Sequence, residues 1–85
     1  MKGFDYVIKD EVGIHARPAG ALAKKAKEYK SEITIKKGER EANATKLIAI
    51  MGLSIKCGDK ITVSINGEDE KRAEKELKEF FESNL

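Results

Sequence analysis

Eighty-five residues is about half of a common domain allotment, and a chain this short buries only about 60% of the surface its unfolded form exposes, so one thin core is expected and a deep cofactor cleft is excluded. Charged residues make up 38% of the chain and hydrophobic ones 40%, enough for a core. No apolar run approaches the roughly 20 residues that span a bilayer, and a net charge of +2 without stacking aromatics argues against nucleic-acid binding.

In chain order, Phe4, Tyr6 and Ile8 alternate with less apolar positions and predict a half-buried first strand. A helical stripe follows at Ala16, Ala19, Leu22, Ala23 and Ala26. Ile33 and Ile35 mark a second strand, Lys37-Gly38 a turn, and Arg40 to Ala44 a third strand returning as a hairpin. Ile61, Val63 and Ile65 give a fourth strand, ended by Asn66-Gly67. A last helix runs from about Glu70 with Asp69 as N-cap, its stripe being Ala73, Leu77, Phe80 and Phe81. Strands with one apolar and one polar face belong to an antiparallel sheet wetted on one side. The expected fold is therefore α+β: an open-faced two-layer sandwich, βαββαβα, with a four-stranded antiparallel sheet covered on one face by three helices. Residues 1–85 are read as one domain.

The segment from Leu47 to Leu53 is apolar around the whole circumference of a short helix. Ile50 and Leu53 can enter the core, which would leave Leu47, Ile48 and Met51 outside as a contiguous apolar patch suited to a partner. A helix buried on every side is the alternative. Thr45 stands ahead of this segment as a plausible cap. The lone cysteine, Cys57, excludes an internal disulfide and reads best as a small apolar filler.

Charge is unevenly spread. Residues 61–85 hold four basic and seven acidic side chains, and residues 1–60 thirteen basic and eight acidic. The basic front favours an acidic partner surface. The start, Met1-Lys2-Gly3-Phe4-Asp5, has no apolar signal region, so a cytoplasmic protein without membrane insertion is expected.

Gly13-Ile14-His15-Ala16-Arg17-Pro18-Ala19-Gly20 carries the chemistry. Pro18 is tolerated only in the first turn of a helix, so the helix must open close to Ala16 and leave His15 at its lip. Free N–H groups and the positive end of the helix dipole then face an imidazole, and Arg17 adds a guanidinium fork suited to phosphate oxygens. The result is an anion site with a nucleophile at its centre. No Gly-x-x-x-x-Gly-Lys-[Ser/Thr] loop and no acid cluster accompanies it. No cofactor and no metal are expected. A histidine that holds a phosphoryl group without binding a nucleotide implies a carrier loaded and unloaded by other proteins.

Gly13-Ile-His-Ala-Arg-Pro-Ala19, with Ile50-Met-Gly-Leu-Ser54 and the acidic residue before the last helix, resembles the HPr phosphocarrier family of the bacterial phosphoenolpyruvate-dependent sugar phosphotransferase system. The resemblance covers essentially the whole chain. It implies a monomeric, non-enzymatic carrier, phosphorylated on His15 at Nδ1 by enzyme I and discharged to the IIA domains of sugar transporters. Arg17 matches the arginine that steadies the phosphate, Ala16 and Arg17 supply N–H groups to it, and Gly20, Lys24, Lys27, Leu47, Ile48 and Met51 match the docking surface. Lys46 stands where Gram-positive relatives carry a regulatory serine, and a lysine cannot take that phosphate. A second reading is a regulatory or paralogous member of the family, a relay or docking protein that does not mainly serve sugar uptake. The presence of both His15 and Arg17 argues against a docking-only role.

Overall fold

The structure is a computed structural model that describes residues 2–11, 13, 14 and 16–85. The elements follow the order β1 (Lys2–Val7), α1 (Ala16–Ala26), β2 (Glu32–Lys37), β3 (Arg40–Asn43), α2 (Leu47–Met51), β4 (Lys60–Asn66) and α3 (Glu70–Asn84). The four strands form one antiparallel sheet in the order β1-β4-β2-β3, so the first and last strands in sequence are neighbours. The expected βαββαβα sandwich is what the chain adopts.

Register sorts the side chains. Phe4 lies opposite Val63, Tyr6 opposite Ile61 and Ile35 opposite both Val63 and Ala42, which places these residues on one face. Ile33, Ile35, Ile61, Val63 and Ile65 are buried there beneath Leu22, Ala23, Ile50, Leu77 and Phe81. Phe81 is the hub, with Phe4, Tyr6 and Phe80 meeting its ring edge-to-face at 5.7, 5.5 and 6.2 Å, the arrangement that aromatic quadrupoles favour. The other face carries Asp5, Thr34, Lys36 and Thr62. A two-residue turn at Gly38-Glu39 joins β2 to β3, with Gly38 in the left-handed region at φ 61°, the conformation that right-twisted hairpins require.

Two expectations are corrected and one is refined. Asp69 holds the N-cap position of α3, as expected, but its carboxylate makes no capping hydrogen bond to that helix's backbone. It reaches across to accept hydrogen bonds from the Lys30 and Ser31 amides, at 2.9 and 3.0 Å, and from the Ser31 hydroxyl. Glu70 instead accepts from the Gly67 amide at 3.2 Å. A side chain that can satisfy three donors of a neighbouring loop is better placed there than on one amide of its own helix. Thr45 does not cap α2 either: Lys46 holds that position, and the Thr45 hydroxyl donates to Asn43 Oδ1 at 2.7 Å. Cys57 is not a filler. It is exposed, because the turn from Lys56 to Asp59, closed by Gly58 at φ 89°, projects it outward.

Candidate functional site

Helix α1 opens at Ala16, and Pro18 occupies its first turn as the missing N–H demands. No acidic side chain stands in that turn, so nothing on the helix itself offsets the positive end of its dipole. Ala19, Leu22, Ala23 and Ala26 are buried and hold α1 to the sheet, whereas Ala16, although in register with that stripe, is exposed at the mouth beside Arg17. His15 lies outside the described residues.

The segment before α1 is tightly braced. Gly13 is buried with φ 78°, and a Cβ there would lie 2.5 Å from the Ile55 oxygen and 2.7 Å from Lys56 Cα. Only glycine fits both the backbone and the space. The buried Ile14 donates its amide to the Ile55 oxygen at 3.1 Å. Arg17 and Pro18, with Asp10, Ala21 and Asn84, line a groove of about 270 Å³ between the start of α1 and the end of α3.

A second groove, about 460 Å³, is lined by Lys27, Tyr29, Thr45, Lys46, Leu47 and Ile48. It brings the end of α1 against the start of α2. Its flank carries the apolar patch: Ile48 is 79% exposed and Met51 40% exposed, while Ile50 is fully buried and Leu53 nearly so. The short helix therefore divides as expected, except that Leu47 is half-buried against the core. Gly20 on α1 is open, with nothing within 4 Å of a Cβ placed there. Lys24 and Lys27 are exposed. The structure joins Lys27 and Lys46 in one groove and places Arg17 in the other.

Tyr29 ties the second groove to α3. Its hydroxyl meets Glu76 at 2.5 Å, and the Arg72 guanidinium lies 4.9 Å from its ring centroid. Burial, reinforced by the Glu76 bond, raises the phenol above its ordinary range, and the same bond holds the Glu76 carboxyl below its own. Tyr29, Asp10 and Asn84 escaped the sequence reading. Each stands outside the motif and enters a groove only through the fold, Asn84 from the end of α3 and Tyr29 beside the start of α2.

Among the described residues no group of His, Cys, Asp or Glu could hold a metal ion, and no helix is long and apolar enough to cross a membrane. Comparison with known families decides the affiliation: residues 3–83 match the model for the PTS HPr component phosphorylation site. The chain belongs to the HPr family. It is similar to the phosphocarrier protein HPr of Mycoplasma genitalium, 44% identical over 85 residues, covering 99% of this chain and 97% of that one. The HPr of Mycoplasma capricolum is 39% identical over 79 residues, 93% of this chain and 89% of the relative. Among solved structures, HPr-C-His from Thermoanaerobacter tengcongensis superposes with a TM-score of 0.93 at 35% identity, covering 98% of this chain and 93% of that one. As an HPr-family member the chain is a phosphoryl carrier of the phosphotransferase system.

Proposed function

We propose that His15 is the phosphoryl acceptor, that enzyme I loads it from phosphoenolpyruvate, and that IIA domains of sugar transporters discharge it. The observation that carries this reading is the start of α1 immediately after residue 15, with Arg17 exposed in a first turn that holds no acidic side chain. Amides of Ala16 and Arg17 and the Arg17 guanidinium then stabilise the added negative charge through the helix dipole and charge-assisted hydrogen bonds. The chain works as a monomeric cytoplasmic carrier of one domain, and catalysis of each transfer is shared with the protein it meets.

Docking uses Gly20, Lys24, Lys27, Leu47, Ile48 and Met51. Exposed Ile48 and Met51 supply an apolar centre, and the lysines a basic rim for an acidic partner. Lys46 in the regulatory position leaves the chain without the serine that a regulatory kinase would modify.

The test is incubation with enzyme I and phosphoenolpyruvate. One phosphoryl group, stable in alkali and lost in acid, is expected on the wild type and none on His15→Ala, with the fold retained. Acid-labile label persisting on the variant would overturn the assignment.

A further inference from the structure

The last turn of α3 reaches the segment that leads into α1. Leu85 closes that helix, its amide bonded to the Phe81 oxygen at 2.8 Å and its side chain 4% exposed. Its backbone oxygen accepts two successive amides from the segment, Lys9 at 2.6 Å and Asp10 at 2.8 Å. The Asp10 oxygen in turn accepts the Gly13 amide at 3.0 Å, which closes a turn directly ahead of Ile14. Ile8 is held by reciprocal bonds with the 58–59 backbone, and Ile14 by Ile55. Residues 8–10 and 13–14 are thus fixed from two sides, one of which is the end of α3. The same end supplies Asn84 to the groove that holds Arg17.

Two amides on one oxygen fix position and direction together, since each N–H must lie near the line of its acceptor. The anchor for that oxygen is apolar: without the Leu85 side chain in the core, a terminal helical turn frays readily. We infer that Leu85 is a positioning residue for phosphoryl transfer: its buried side chain holds the backbone oxygen that sets Lys9 and Asp10, and through them the approach to α1. This rests on the reading of His15 as the acceptor. A reactive group displaced by about 1 Å can lose up to 100-fold in rate, so a loosened anchor acts on the transfer step.

The experiment compares Leu85→Ala, Leu85→Met and Leu77→Ala in the full chain, well below their melting temperatures. Leu77 is fully buried in the same helix and serves as the control for lost stability alone. For phosphorylation by enzyme I, Leu85→Ala should lower kcat about 10-fold with KM unchanged, and the Lys9 and Asp10 amides should lose protection from hydrogen exchange. Leu85→Met should restore both, and Leu77→Ala should keep wild-type kcat. Unchanged kcat in Leu85→Ala, or an equal fall in Leu77→Ala, overturns the inference. If the wild type takes up no phosphate on residue 15, the acceptor assignment itself has failed, and that control separates the two failures.

Discussion

Ile48 and Ile50 stand two positions apart on a five-residue helix, and the structure assigns them opposite fates. Replacing isoleucine with alanine removes three carbons, worth about 2.4 kcal/mol at about 0.8 kcal/mol per fully buried methylene. Ile50 is 0% exposed, so Ile50→Ala loses that whole transfer contribution and leaves a cavity, for a total of about 3–4 kcal/mol. Ile48 is 79% exposed, and the same substitution there forfeits about a fifth of the transfer value, about 0.5 kcal/mol. At about 4–8 °C per kcal/mol for a domain of this size, Ile50→Ala should melt at least about 12 °C lower and Ile48→Ala within about 4 °C of wild type. Function should divide the other way. Ile48→Ala should raise the KM for phosphorylation by enzyme I several-fold, as loss of an apolar contact at the centre of an interface does. Thermal melts followed by circular dichroism and a steady-state phosphorylation assay measure both. A large drop in melting temperature for Ile48→Ala, or a KM unchanged by it, would refute the division of this helix into a core side and a partner side.

Asp69 offers a pH signature. Its bonds from the Ser31 hydroxyl and the Lys30 and Ser31 amides hold the carboxyl well below the usual range. Because the folded form resists the proton and the unfolded form accepts it near about pH 3.9, this contribution is present above that pH and fades as pH falls toward the lowered folded value. Urea midpoints measured across acid pH should decline less steeply for Asp69→Asn, and identical slopes would show that the clamp is not coupled to folding. Lys46→Ser should slow association with enzyme I at low ionic strength and converge on wild type at high salt, where charges are screened. An association rate insensitive to both the substitution and the salt would show that Lys46, which lines one groove with Lys27, adds nothing to the attraction.

Period and steric exclusion made much of this architecture legible in the sequence. Alternation at Ile33-Ile35 and Ile61-Val63-Ile65 could only suit strands with one buried face, and Pro18 left α1 a single place to begin. For α2 the sequence left two readings open, and the structure selects the divided one, with Ile50 buried, Ile48 and Met51 exposed and Leu47 half-buried. The misread residues share a different cause. By their neighbours in sequence alone, a hydroxyl ahead of a helix reads as a cap and a small thiol as filler, which misplaces Thr45 and Cys57; Asp69 takes the N-cap position its neighbours suggest, but they do not show where its carboxylate bonds. Asp69 found better partners 38 and 39 positions away. The Leu85 oxygen had no signature at all, because a backbone acceptor looks the same at every residue.

The sheet order has a consequence for how the molecule is made. β1 is the first strand in the chain, yet its only neighbour in the sheet is β4, with Tyr6 facing Ile61. On a ribosome, where synthesis proceeds from the N-terminus, β1 and the segment leading into α1 emerge early and wait. Their supports, the 55–59 backbone and Leu85, are among the later parts to appear. Closing such a long span is slow compared with forming local helices. The segment leading into α1 therefore gains its final geometry only after residues 55–85 have joined it.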